Sequence, residues 1–265
     1  MSMKQKLKNY IMENFPEVLC WFLALKERLG IFKLNKTFDD GFTLSFPYVV
    51  QDGPFRGMKY KCDSIWSSQY PKLIGSYEFE LQEIIRYLLQ KKFDTMINVG
   101  AAEGYYAVGW ALACENSKII AVDPLVAAQR ELSSMAKQNN INDRIIIRTW
   151  VSTARLSSWI KGKTLILMDC EGSEIGYLNH EQCKKLISTD VLVEIHDFYD
   201  HPNIGKQLVK RFIPTHRINF IYQEKRNHSD FPTISEYDWN TQNYLLDEQR
   251  PNSVYWIYFE SKSPP

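Results

Sequence analysis

The chain has 265 residues and a mass of 31.1 kDa, enough to bury a real core in one large domain or two small ones. Its composition, 45% hydrophobic and 24% charged, is that of a globular protein and argues against a disordered tail. Lys and Arg number 32 against 31 for Asp and Glu, and the net charge of +1 gives no support to a nucleic-acid binder with a broad basic face.

The 5 cysteines (Cys20, Cys62, Cys114, Cys170 and Cys183) include no CxxC pair and no His at metal-ligand spacing. They read as free thiols in a reducing compartment, with no structural zinc. No apolar run approaches the roughly 20 residues that span a bilayer. Val18 to Leu25 is followed at once by Lys26-Glu27-Arg28, without the small-residue cleavage site of a signal peptide. The expectation is a cytoplasmic protein.

Along the chain, Leu7, Ile11, Phe15, Val18, Phe22 and Leu25 recur at helical spacing, with Pro16 kinking that helix or starting a second one. The first 36 residues carry a local charge of +4. They are expected to form a helical lid on the main domain, a contact with a second subunit, or a helix lying on the inner face of an anionic membrane. Residues 41–75 are irregular and rich in aromatics, Gly and Pro, as in Phe46-Pro47-Tyr48, and read as short strands and loops. Ser76 looks like the N-cap of a helix carrying Leu81, Ile84, Ile85 and Leu88.

Strand and helix then alternate. Strands are expected at 95–99, 118–122, 144–149, 165–169 and 191–196, with helices at 104–114, 126–139, 174–187 and 204–212. This pattern means a parallel sheet covered on both faces. Two closing strands, 217–222 and 254–259, lack a helical crossover and should pair antiparallel. About thirty residues, 223–252, separate them and carry Arg226, His228, Phe231, Tyr237, Trp239 and Tyr244; an ordered substrate-recognition flap is expected there.

The densest chemical signal is Asn98-Val99-Gly100-Ala101-Ala102-Glu103-Gly104-Tyr105. There a buried strand runs through small residues straight into a helix. Small residues let a ligand approach the backbone, and a helix start offers unpaired N–H groups. Asp123 ends the next strand nineteen residues after Gly104, placed to accept both hydroxyls of an adenosine ribose. A nicotinamide fingerprint would need glycines where Ala102 and Tyr105 stand. The spacing Gly100-x-x-x-Gly104 instead resembles motif I of the class I S-adenosylmethionine-dependent methyltransferases, with Asn98 where that family usually has an acid.

Two further blocks, Asp169-Cys170-Glu171-Gly172-Ser173-Glu174 and Glu194-Ile195-His196, are similar to the Asp-x-Glu-Gly-x-Glu and Glu-x-His signatures of FkbM-like methyltransferases. Pro71 to Glu78 resembles that family's lead-in to motif I. The resemblance covers about residues 70–200. It implies a Rossmann-like α/β fold whose seven-stranded sheet is mostly parallel with an antiparallel last strand and helices on both faces. It implies S-adenosylmethionine as cofactor and a hydroxyl of a sugar, glycan or other small secondary product as acceptor; from the balanced charge, no nucleic-acid partner is expected. The expected organisation is an extension over 1–75 and a methyltransferase domain over 76–265, with the insertion at about 223–252.

The expected cofactor residues are Tyr77, Glu78, Asn98, Gly100, Ala101, Ala102, Glu103, Gly104, Tyr105, Asp123, Trp150 and Asp169. Trp150 either stacks on adenine or packs in the core, and Tyr105 and Tyr106 divide between ligand and core. Asp169, Glu171, Glu194, His196 and Asp197 sit at the C-terminal ends of the fourth and fifth strands, the edge where open parallel sheets bind ligands. His196 is the first choice of general base, because imidazole titrates near neutral pH. Asp169 or Glu171 serves as base or orients it. Glu174 reads as a helix-start carboxylate. No metal is expected; if one were held, Asp169, Glu194 and His196 would hold it. Arg217, Arg226 and Arg250 are candidates to pair with an anionic group on the acceptor. A non-catalytic scaffold and a methyltransferase of protein or RNA are the rival readings. No Asn-Pro-Pro-Tyr-like tetrapeptide follows the fourth strand.

Overall fold

The computed structural model describes residues 3–29, 47–62, 64–65, 67–197, 203–250 and 254–263. The expected loop residues Gly41 and Phe46 lie outside them. Two N-terminal helices, α1 (Met3–Asn14) and α2 (Pro16–Arg28), are followed by α3 (Gln69–Ile74) and α4 (Gln82–Gln90). Then come β1 (Thr95–Val99), α5 (Tyr105–Ala113), β2 (Lys118–Val122), α6 (Val126–Gln138), β3 (Ile145–Arg148) and α7 (Thr153–Ser158). After these come β4 (Thr164–Met168), α8 (Glu174–Tyr177), α9 (His180–Lys185), β5 (Thr189–Ile195), α10 (Ile204–Phe212) and β6 (His216–Ile221). Helix α11 (Trp239–Leu246) and β7 (Tyr255–Ser261) come last.

The strands form one sheet in the order β3-β2-β1-β4-β5-β7-β6. Strands β1 to β5 pair parallel, and β7 runs antiparallel to both β5 and β6. The expected antiparallel pairing is present, but a helix does lie between the two closing strands: α11 packs on α3 through Leu245 and Leu246 and so does not serve as a crossover. This is the Rossmann-like, mostly parallel sheet with a reversed last strand. Both faces are covered, so the central strands are buried along their length. Met96, Leu165, Leu167 and Trp256 pack under α4 and α5 on one face, against Ile85, Leu88 and Trp110. Ile97, Ile166, Val191 and Val193 pack on the other, against Leu156, Leu208 and Phe212.

Local corrections have simple causes. Helix α4 does not start at Ser76. Gly75, at φ +88°, closes α3, and Ser76 turns its hydroxyl back to the Pro71 carbonyl. The cap in this region is Ser68, which accepts from Tyr70 N. The expected helix over 174–187 breaks into α8 and α9 because Asn179 caps the second piece through Gln182 N at 2.9 Å. Helix α7, capped by Ser152, is too short to show a period in the sequence. Pro16 starts α2 as its first residue.

The N-terminal helices do not bury the expected stripe. Met12, Pro16 and Ala24 face inward, while Leu7, Phe15, Trp21 and Phe22 are exposed. Residues Val50, Phe55, Met58, Tyr60 and Leu73 join the main core. Phe231, Ile234, Leu245 and Leu246, from the segment between β6 and β7, pack on Tyr70 and Ile74 of α3. No described helix is long and apolar enough to cross a membrane.

Candidate active site

The strand order reverses between β1 and β4, so the crevice at their C-terminal ends is where a ligand would sit. Gly100 turns there at φ +80°, and a Cβ on it would lie 1.5 Å from the Asp169 carbonyl oxygen, so only glycine fits between the two strand ends. Asp123 ties the turn to β2: one carboxylate oxygen accepts from Ala102 N at 2.8 Å and the other from Leu125 N at 2.9 Å. It is only 4% exposed. Burial pushes its carboxyl up to about 7 against those two bonds, with Glu103 and Glu27 adding. Asn98 is 1% exposed, and neither its amide oxygen nor its amide nitrogen has a hydrogen-bond partner. Such an orphan points to a missing polar group.

Asn98, Gly100, Ala101, Ala102 and Asp123 thus meet at one point. Other expected cofactor residues do not. Glu103 is fully buried and turned away, held by Lys72, by the Tyr60 hydroxyl at 2.8 Å and by Ile65 N at 2.9 Å. Tyr105 enters the core against Phe55 and Tyr60, while Tyr106 reaches outward to the Glu78 carboxylate. Gly104 serves packing: a Cβ there would meet Leu132 at 2.7 Å. Trp150, just past β3, is 44% exposed, so it is not a core residue. Tyr77 packs edge-on to Tyr105, with the Lys72 ammonium 4.7 Å from its ring centre.

The ends of β4 and β5 gather the acids. His196, 3% exposed, sets Nδ1 3.0 Å from Glu174 Oε1. Its Nε2 faces Glu194 at 3.2 Å, Glu171 at 3.6 Å and Asp169 at 3.7 Å. Glu174 is the expected helix-start carboxylate, the first residue of α8, and it is also a fully buried anchor that accepts from Cys170 N and Gly172 N. Asp169 Oδ1 is shielded from solvent and has no hydrogen-bond partner.

Burial works against a charged imidazole, yet Glu174 and the other carboxylates raise His196 to about 12, so it carries a proton at neutral pH. That speaks against its choice as resting general base. Asp169 is pushed well above the ordinary carboxylate range by burial, with Glu194 adding. Glu194 is held down to about 2, burial being outweighed by His196 and Arg250.

A second charged cluster adjoins the first. Arg250 pairs with Glu194 and lies 3.0 Å from Glu80, 3.3 Å from Glu248 and 3.7 Å from Glu78. Arg226 pairs with Glu248 and donates to the Ser76 carbonyl at 3.0 Å. Both guanidinium groups are therefore neutralised within the protein, and Arg217 sits 75% exposed near Glu260. The expected use of these arginines on an acceptor anion has no free partner behind it for Arg226 and Arg250. Glu78, 1% exposed, rises to about 8 through burial, with Arg250 opposing.

The sequence reading missed Glu80, Glu248 and the anchoring role of Glu174. Only Glu174 had a signal, its place in the Asp-x-Glu-Gly-x-Glu block. Of the metal set, the ligand atoms that converge are those of Asp169, Glu171 and His196, all within 4.8 Å of one another. Glu194 is committed to Arg250 as well as to His196.

No protein-family model matches the chain, and no curated protein matches it. Solved structures with a similar chain course are methyltransferases. One from Clostridium thermocellum, assigned as an rRNA methylase, is 14% identical, with 70% of this chain and 97% of that one aligned at a TM-score of 0.46. An S-adenosylmethionine-dependent O-methyltransferase from Thermotoga maritima is 12% identical, with 69% and 65% covered at 0.43. A geranyl diphosphate C-methyltransferase from Streptomyces coelicolor A3(2), bound to Mg2+ and S-adenosyl-L-homocysteine, is 12% identical, with 84% and 93% covered at 0.41. These are likenesses of chain course, and the functional reading rests on the site itself.

Proposed function

We propose that the chain is a cytoplasmic S-adenosylmethionine-dependent O-methyltransferase acting on a hydroxyl of a sugar, glycan or other small secondary product. The observation that carries this reading is the reversed β7 between β5 and β6, combined with a Gly100 turn at the switch point beside the orphaned Asn98 amide. S-adenosylmethionine supplies an electrophilic methyl group on a sulfonium. In this reading Asn98 holds its amino-acid end, Asp123 its ribose and Trp150 its adenine. Tyr77, Glu78 and Ala101 line the approach.

The acceptor hydroxyl enters over β4 and β5. Asp169 takes its proton, because Oδ1 is shielded, has no hydrogen-bond donor of its own and faces His196 Nε2 at 3.7 Å, whose positive charge favours the carboxylate form. His196, charged and anchored by Glu174, keeps Asp169 and Glu171 from repelling each other. Among the described residues, seven carboxyl groups (Glu78, Glu80, Asp169, Glu171, Glu174, Glu194, Glu248) surround the edge against three basic side chains, Arg226, Arg250 and His196. That excess disfavours a polyanion and supports a small uncharged acceptor over RNA. The segments 47–75 and 223–250, joined through the α3 contact and the Arg226–Ser76 bond, would form the acceptor wall of the 76–265 domain.

The convergence of Asp169, Glu171 and His196 favours a second reading, a divalent cation at the same edge that would clamp the acceptor oxygen. Calorimetry with S-adenosylhomocysteine, followed by a turnover screen of hydroxylated acceptors with and without a chelator, tests both readings. Absence of cofactor binding would sink the first, and chelator-insensitive turnover the second.

A further inference from the structure

The N-terminal helix pair crosses the cofactor crevice. At one end, Met12 and Glu13 of α1 press on α8, after β4, so closely that a Cβ on Gly176 would lie 2.2 Å from the Met12 carbonyl oxygen. Next, Cys20 of α2 meets the Tyr177 hydroxyl at 3.5 Å. At the far end, Glu27 accepts from Val126 N and from Ala127 N at 2.8 Å, at the start of α6, after β2. Helix α6 has no side-chain cap of its own at Leu125, so a residue about a hundred positions away in sequence supplies it.

Because β1 lies between β4 and β2, a helix reaching from α8 to α6 passes over the β1 turn. Leu23, midway, packs with Ala102 of that turn against Ile65, Leu125 and Ala128. Beneath it Asp123 is 4% exposed and Asn98 1%, the latter with an unused amide. Asp123, which the ribose would reach, thus lies buried beneath α2, close enough for Glu27 to act on its carboxyl.

We infer that α2 is a gate: it seals the cofactor crevice in the free protein, and Glu27 must leave the start of α6 before S-adenosylmethionine can bind. This rests on the cofactor reading above and adds its regulation. The gate explains two otherwise unrelated features, the borrowed cap on α6 and the sealed orphan amide. At the α6 end its latch consists of two charge-assisted hydrogen bonds and the Leu23 contact, few enough to open locally while the sheet stays folded and the α8 end stays docked.

Stopped-flow fluorescence on the full chain, with S-adenosylhomocysteine as probe, provides the test. The observed rate should saturate with concentration at the opening rate of the gate. Glu27→Gln should raise that plateau roughly 2- to 30-fold, the scale of a lost helix cap. Leu23→Ala should also raise it, and hydrogen exchange should show faster exchange at Val126 and Ala127 in Glu27→Gln. A rate that climbs linearly with concentration and is the same in wild type and both variants would overturn the gate while leaving the cofactor reading intact. Absence of binding in wild type and variants alike would overturn the cofactor reading and the gate with it.

Discussion

The two halves of the sheet's C-terminal edge are built in opposite ways. The half over β1 to β3 is made of backbone and small residues, with one carboxylate, Asp123, spent on two N–H groups. The half over β4, β5 and β7 is made of clustered, mostly buried charge from four separate stretches: Glu78 and Glu80, Asp169 to Glu174 (with Glu171 exposed), Glu194 and His196, and Arg226 to Arg250. Binding a constant cofactor asks for a close backbone approach, which short local sequence can encode. Activating a variable acceptor asks for tuned charges, which only tertiary folding assembles. The comparison therefore predicts that substitutions over β4 and β5 act on rate and stability, and those over β1 to β3 on cofactor affinity.

The largest effect is expected at Asp169. Asp169→Asn should lower the turnover rate about 10²- to 10⁴-fold, the usual contribution of a general base, with S-adenosylhomocysteine affinity within about two-fold of wild type. The pH profile supplies a second check. A base works only when deprotonated, and this one is raised above the ordinary carboxylate range, so kcat should fall on the acid side with an apparent pKa above about 4. An acid limb at or below the ordinary aspartate value of about 4, or full rate in the variant, would move the base elsewhere.

Next comes Arg250, which should matter for stability before chemistry. Removing it leaves Glu78, Glu80, Glu194 and Glu248 facing one another in a buried site, a loss of about 3–5 kcal/mol. Urea unfolding of Arg250→Met should show a lower midpoint at unchanged slope. The same pair sets a pH signature. Glu194 has a folded pKa of about 2, below its unfolded value, so its contribution is full above about 4.5 and fades as pH falls toward 2. In Arg250→Met that acid-side loss should shrink.

How much of this was legible in the sequence follows from the same contrast. The strands at 95–99 and 118–122 were readable to the residue because they are short apolar runs ending at Gly100 and Asp123, and the helix at 204–212 because it is amphipathic and opens after Asn203. The placement of Gly100, Ala102 and Asp123 at the turn after β1 was readable because it is set locally, by a tight turn and the end of the next strand. Glu103 was misread since its neighbours suggest a ligand loop, while Lys72, thirty-one positions earlier, claims its charge. The Arg250 cluster was illegible as a unit: its partners span residues 78 to 250, and nothing in the local sequence marks a charge as buried. The gate was half legible, since the helical period at 7–25 was visible but the face it buries was not.

A third effect, smaller, should appear at Asp123. Asp123→Ala removes the acceptor of Ala102 N and Leu125 N as well as the proposed ribose contact, so affinity for S-adenosylhomocysteine should fall by about 1–3 kcal/mol, some 5- to 150-fold. Calorimetry measures it, and a melting curve shows how much of the loss is structural. Turnover at saturating cofactor should stay near wild type, which separates this residue from Asp169.

The smallest predicted effect is at Trp150, and it tests the comparison most finely. Trp150 lies just beyond β3 at 44% exposure, on the cofactor half, where a large ring in solvent serves no packing purpose. An adenine stacked on it would gain the aromatic contribution of about 0.5–1.5 kcal/mol. Trp150→Ala should therefore weaken S-adenosylhomocysteine binding about 2- to 12-fold. Turnover at saturating cofactor and the unfolding midpoint should stay unchanged. Trp150→Phe should recover most of the affinity, because stacking needs a ring and not the indole N–H. Quenching of tryptophan fluorescence on binding should be reduced in both variants. If affinity is unchanged in Trp150→Ala, adenine lies elsewhere along the β2 to β3 edge, and the cofactor half is then built from backbone and Asp123 alone.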